Sequence, residues 1–207
     1  MGNLEALKRE VLHVARRMSG LGLVANMGGN VSARDPQSNR IVITPSAYAY
    51  DVMTENDVVE VDLWGKVVSG RHTPSSETPV HCLVYRERPA VCGIVHTEPP
   101  YVNAFGMLDR EIPPVLANLL AAVGGSVPVM PVQASGTEAF GRDMLQVMGS
   151  TPAVIWSHHG LLTVGSTLAQ AFERTCFIED GAKAYHLALQ LGQPTALSHD
   201  QFTHLVG

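Results

Sequence analysis

Two short apolar runs, Val91–Val95 and Ala153–Trp156, each end abruptly in ionisable side chains. Runs this short and this apolar read as strands buried on both faces of a sheet, because a solvated face would impose an alternation that neither shows. A buried strand that ends in imidazole and carboxylate must deliver those groups to a shared polar place. His96-Thr97-Glu98 follows the first run and Ser157-His158-His159-Gly160 the second, while Glu77 follows Pro74-Ser75-Ser76 and opens a helix-like stretch. Two imidazoles and two carboxylates at strand ends have the composition of a divalent-metal site with an acid/base beside it. The chain reads as a metal-dependent enzyme.

The remaining pattern alternates helix and strand with no linker. Leu4, Leu7, Val11, Val14 and Met18 recur at helical spacing after Asn3, a candidate N-cap, and Gly20 and Gly22 end that helix. A glycine-rich turn, Met27-Gly28-Gly29-Asn30, leads into Val31-Ser32-Ala33. Arg40–Thr44 and Val58–Leu63 read as strands, with Trp64-Gly65 as a hairpin turn before Lys66-Val67-Val68. Helices are expected over Thr78–Arg86, Glu98–Leu108, Thr137–Met148 and Leu168–Leu191, and strands over Gly93–His96, Val127–Pro131 and Ala153–Ser157. Leu116–Val123 is apolar without a clear period. Several strands are joined too tightly to be parallel, so the expected fold is α/β, a mixed sheet between two helical layers in a single domain spanning 1–207.

Composition narrows the partners. The 207 residues carry a formal charge of −5 with no cluster of Lys or Arg, which disfavours nucleic acid and anionic membranes. No apolar run approaches the roughly 18 residues of a spanning helix, and Glu5, Lys8, Arg9 and Glu10 are unlike a signal peptide. Cys82, Cys92 and Cys176 are odd in number and set among apolar residues, as reduced core cysteines would be. A cytoplasmic protein is expected.

Five segments carry a resemblance to a known family. In order they are Gly29-Asn30-Val31-Ser32, Ile43-Thr44-Pro45-Ser46, Ser75-Ser76-Glu77 with His81 four residues on, Val95-His96-Thr97, and His159-Gly160. Any one occurs by chance; all five in this order resemble the class II aldolase superfamily of fuculose-1-phosphate aldolase and ribulose-5-phosphate 4-epimerase. The likeness runs from Leu4 to Leu191. It implies a nine-stranded mixed sheet flanked by helices, a cyclic tetramer with active sites between neighbouring subunits, and a phosphorylated keto sugar as substrate. It also implies one divalent metal ion per subunit, zinc first, with manganese, cobalt and iron open.

The residues give these implications a physical basis. Ser75 and Ser76 precede a helix whose first N–H groups lack partners, a place for a phosphate. Gly29 lets backbone approach a ligand, Asn30 supplies a donor, and Thr44 and Ser46 can complete the subsite. Met27 stands where relatives often carry a small hydroxyl residue, and Ala47 where they carry glycine. Alternate residues of a strand share a face, so His96 and Glu98 can hold one ion together with His159; the competing expectation is that Glu98 caps the helix beginning at Pro99. His158 reads as structural.

Glu77 is the candidate general acid/base for a retro-aldol cleavage, in which the metal polarises the ketone and stabilises an enediolate. The segment Leu116-Ala117-Asn118-Leu119-Leu120 lacks both the tyrosine of the aldolase branch and the aspartate of the epimerase branch, leaving Tyr101, or Tyr185 of a neighbouring subunit, as proton donor. A lyase releasing dihydroxyacetone phosphate and an aldehyde leads. Decarboxylation, 4-epimerisation, and a non-catalytic role like that of the adducin head stay open beside it.

Overall fold

The structure, a computed structural model, describes residues 2–198, 200 and 201; His199 and His204, histidines that stand in no motif of the sequence, lie outside them. Helix α1 (Gly2–Gly20) is followed by strands β1 (Asn30–Arg34) and β2 (Ile41–Ile43). A 3-10 turn (Glu55–Asp57) then precedes β3 (Val59–Val61) and β4 (Val67–Ser69). Next come α2 (Thr78–Glu87), β5 (Gly93–Thr97), α3 (Pro100–Gly106), α4 (Ala117–Val123) and β6 (Val129–Met130). The chain closes with α5 (Glu138–Met148), β7 (Ala153–Trp156), β8 (Gly160–Gly165) and α6 (Leu168–Leu191).

The described strands form one sheet of eight, ordered β4-β3-β2-β1-β5-β8-β7-β6, rather than the nine that the resemblance implied. Every pairing is antiparallel except β6 with β7. The mixed sheet expected from the tight connections is present. β8 is the strand that pattern reading passed over. Its Gly160-Leu161-Leu162-Thr163-Val164-Gly165 neither alternates nor carries the aromatic residues that mark strands, because it is buried on both faces in the sheet centre.

Adjacent residues of β5 show the layering. Ile94 packs with Val80 and Val84 of α2 and Phe140 and Met144 of α5. Val95 packs on the opposite face with Val11, Ala15 and Met18 of α1 and Leu168 and Phe172 of α6. A third cluster joins α3, α4 and the later turns of α6 to Ile155 and Leu161. Gly93 and Gly165 are register partners in β5 and β8. A Cβ at Gly93 would lie 2.3 Å from the Leu168 Cα, so the first turn of α6 rests directly on backbone.

Local details differ from the sequence expectations for stated reasons. Asn3 lies inside α1 and donates its amide to Asp35 Oδ1 at 2.6 Å, tying the helix to the β1–β2 connection instead of capping it. α3 begins at Pro100, not at Glu98, because Pro99, itself followed by a proline, is held in extended backbone (φ −70°, ψ 135°); the Glu98 N–H bonds the Leu23 carbonyl at 2.8 Å. The apolar segment of unassigned type is α4, stopped by Gly124 in the left-handed conformation (φ 83°).

Candidate metal centre and active site

Four secondary-structure ends converge on one cleft of about 190 Å³. Asn30 opens β1 and pairs in register with His96 near the end of β5. Glu77 is the N-cap residue of α2, and His159 sits in the tight β7–β8 turn, where His158 adopts φ 57° so that the chain can reverse. Glu77 Oε2 is 3.5 Å from His96 Nε2, and Glu77 Oε1 is 3.6 Å from His159 Nε2. The ligand atoms of these three residues lie within 4.8 Å of one another.

The tautomer of His96 follows from its surroundings. Its Nδ1 is 3.0 Å from the Leu161 carbonyl oxygen, which only accepts, so Nδ1 carries a proton and Nε2 is the nitrogen left to face Glu77 and to serve as a ligand. A lone pair and a carboxylate at 3.5 Å repel unless a cation lies between them. Nitrogen and oxygen ligands about 2.0–2.2 Å from a tetrahedral ion stand roughly 3.4 Å apart, so the donor set and its spacing fit a divalent metal. Trp156 fixes the imidazole planes, stacking on His96 at 4.4 Å and meeting His159 edge-on at 5.1 Å.

Burial pushes Glu77 upwards, but the neighbouring His96, the Asn30 amide, His159 and His81 outweigh it and hold the carboxyl below its ordinary value. His159 is pushed down, by burial first and then by His96, against the pull of Glu77 and Glu98. Carboxylate and neutral imidazole are the protonation states that metal binding needs. Each Glu77 oxygen also has a neutral donor: Asn30 Nδ2 reaches Oε2 at 2.9 Å, and the Ser135 hydroxyl reaches Oε1 at 3.1 Å.

The far side of the cleft is built of unspent donors. Gly29 has φ 71°, and a Cβ there would lie 2.5 Å from the His96 carbonyl oxygen, so only glycine lets this turn pass against β5. Among the described residues, no protein acceptor takes the Gly29 or Ser76 N–H or the Ser46 or Ser76 hydroxyl. Met27, Ser46, Ala47, Ser75 and Ser76 line this part of the cavity. Such a cradle of N–H and O–H groups suits an anion.

Comparison with known proteins decides the family. The model of the class II aldolase and adducin N-terminal domain matches residues 9–186. The chain belongs to that family. It is 30% identical over 202 residues to 5-deoxy-D-ribulose 1-phosphate aldolase of Bacillus thuringiensis serovar kurstaki, covering 98% of this chain and 94% of the relative. It is likewise 30% identical to L-fuculose phosphate aldolase of Escherichia coli K12, over 94% of this chain and 89% of the relative. A solved L-fuculose 1-phosphate aldolase superposes with a TM-score of 0.90 at 28% identity, covering 97% of this chain and 94% of that one. This member of the class II aldolase family is an enzyme of the aldolase type.

Within that family framework the predicted residues fall into three positions. Glu77, His96 and His159 form the cluster, and Gly29, Asn30, Ser46, Ser75 and Ser76 line the same cleft. Glu98 also lines it, outside the three-residue cluster, with its carboxylate laid against Gly28, where a Cβ would be 2.7 Å from Oε2. It does not cap α3; Glu179 does, taking the Tyr101 N–H at 3.1 Å and the Val102 N–H at 3.0 Å.

Thr44 is fully buried behind the cleft wall, its hydroxyl accepting from the Val31 N–H at 3.2 Å and its carbonyl from Ser75. Tyr101 lines a separate depression with Leu23, Glu179 and Lys183. Ser135 and Trp156 are site residues that sequence reading missed. A lone serine in a loop and a tryptophan in an apolar run carry no motif. His72, which stands in no motif of the sequence, meets buried Asp57 at 2.8 Å beside Arg71.

Proposed function

We propose that this enzyme cleaves a keto sugar 1-phosphate to dihydroxyacetone phosphate and an aldehyde. One observation carries the reading: a cation-ready set of Glu77, His96 and His159 shares a single cleft with the unspent donors of Gly29, Ser46 and Ser76. A ketose 1-phosphate presents both complements, a ketone with a hydroxyl on one neighbouring carbon and a phosphate ester on the other. The relatives' names point to the same substrate class.

In this reading His96 and His159 hold a divalent ion, zinc before manganese, cobalt or iron, with Glu98 adding a carboxylate from the cleft wall. When bound, that ion supplies Lewis acidity at the ketone and its neighbouring hydroxyl. Gly29, Ser46, Ser75 and Ser76 grip the phosphate and thereby fix the position of the reacting carbon. Asn30 stands between the two subsites, its amide on Glu77. In cleavage Glu77 delivers a proton to the carbon that becomes part of dihydroxyacetone phosphate once the carbon–carbon bond has broken, and in the reverse, condensing direction it removes that proton.

No tyrosine, lysine or cysteine lines the cleft among the described residues, so one chain offers no phenol, amine or thiol to take the proton that the substrate hydroxyl loses as it becomes the aldehyde. That supports a homotetramer in which a neighbour completes the site, and Tyr101 or Tyr185 relays that proton only across such a boundary. The scattered free cysteines fit a cytoplasmic setting.

The test is direct. Purified protein, reconstituted separately with zinc, manganese and cobalt, is offered 5-deoxyribulose 1-phosphate and L-fuculose 1-phosphate, and dihydroxyacetone phosphate is measured by coupled NADH oxidation. Metal-dependent release is expected. Carbon dioxide from a 3-keto acid phosphate without aldol cleavage would replace the reading with decarboxylation.

A further inference from the structure

Ser135 belongs to the loop between β6 and α5, far in sequence from every motif of the site. Its hydroxyl nevertheless lies 3.1 Å from Glu77 Oε1. A carboxylate only accepts, so Ser135 is the donor. Asn30 grips the other oxygen at 2.9 Å. With Asn30 alone the carboxylate could pivot about one hydrogen bond; with both donors its plane is fixed.

The loop that carries Ser135 is itself held. Gly136 has φ 86°, and a Cβ there would sit 3.2 Å from the Ser76 carbonyl oxygen, so this turn is docked on the residue preceding Glu77. Thr137 follows at once as the N-cap of α5, accepting from the Phe140 N–H at 3.1 Å. α5 packs on α2 closely enough that a Cβ at Gly141 would lie 2.8 Å from Leu83 Cδ2. Glu77 and the donor that aims it therefore ride on two helices packed as one unit.

We infer that Ser135 is a positioning residue for the Glu77 base, a role that rests on the aldolase reading above and deepens it. Ser135 touches neither the proposed ion ligands on β5 nor the phosphate cradle. Its loss should leave substrate affinity and metal content alone and act on turnover.

Ser135→Ala, Ser135→Thr and wild type are compared for kcat and KM with the ketose phosphate and for bound metal. Expected are a kcat lowered about tenfold or more in Ser135→Ala, with KM and metal content unchanged, and recovery of most of the rate in Ser135→Thr, which keeps the hydroxyl. In parallel, unfolding of the metal-free protein is measured for Ser135→Ala, Glu77→Ala and the double variant. The single change should raise the unfolding constant about tenfold, as befits a hydrogen bond to a charged group, and do nothing in the Glu77→Ala background. A Ser135→Ala enzyme with wild-type kcat, or one altered only in KM, overturns the inference. If wild type cleaves no ketose phosphate, the aldolase reading fails separately, and an uncoupled unfolding cycle would then overturn the Ser135 contact as well.

Discussion

Between neutral pH and about pH 4, acid should destabilise this protein through His81, and the size of the effect can be worked out from its surroundings. His81 lies on α2 with no exposed surface, its Nδ1 2.7 Å from Ser32 Oγ, which is 2.8 Å from the Tyr85 hydroxyl. Among the described residues the Tyr85 proton has only Ser32 to go to, so Ser32 passes its own proton to Nδ1 and the ring proton sits on Nε2. Burial drives the ring down from 6.5 to about 3, with Glu77 opposing and His96 assisting the shift.

Below pH 6.5 the unfolded chain binds a proton that the fold refuses, so stability falls with pH from there and the loss is complete below about pH 3. At pH 4.5 the deficit is two pH units, or about 3 kcal/mol. The assay is urea unfolding of metal-free wild type and His81→Gln at pH 7.5 and pH 4.5, followed by tryptophan fluorescence. Wild type should lose about 3 kcal/mol more than the variant between the two, a midpoint difference of roughly 1–2 M urea. Equal losses in the two proteins would refute the assignment of His81 as a buried neutral ring.

Glu77→Gln keeps the shape and the Asn30 and Ser135 contacts but cannot carry the proton. It should retain metal, by elemental analysis, while kcat falls roughly a hundred- to ten-thousandfold. Gly29→Ala forces a left-handed alanine and sets a Cβ 2.5 Å from the His96 carbonyl oxygen. It should lose about 2 kcal/mol or more in thermal unfolding, and metal affinity with it. Gly28→Ala meets only the flexible end of Glu98, so it should leave stability within about 0.5 kcal/mol while pushing that carboxylate from the cleft. If Glu98 adds to cation binding, Gly28→Ala and Glu98→Ala weaken metal affinity together; normal metal content and rate in Glu98→Ala would remove it from the site.

The parts of this architecture that could be read from sequence are those where local chemistry and global position agree. Strand ends that must shed His96 and His159 into a polar place, and a serine pair ahead of Glu77, announce themselves because buried ionisable groups are costly unless gathered. β8 was hidden since burial on both faces erases alternation, and the capping of α3 was hidden since its partner, Glu179, comes from 77 or more residues away. Ser135 was invisible for the same reason. Its meaning lies in a contact across 58 positions, and nothing nearby marks it. Ala47 offers the reverse case. The family resemblance implies glycine at this position, and the φ of 50° gives the physical reason: a left-handed residue at the cleft rim that here bears a methyl group anyway.

The strand order has a kinetic consequence. β5 joins two half-sheets, one drawn from the first seventy residues and one from beyond residue 128, and the site lies along that seam. Its members at positions 30, 77, 96 and 159 meet only when the most distant strand pairings have closed. Such non-local closure is slow, and ligand atoms brought together last cannot nucleate anything earlier. A cation should therefore slow unfolding while leaving the rate of refolding unchanged, and the loaded enzyme should outlast the empty one chiefly by opening less often.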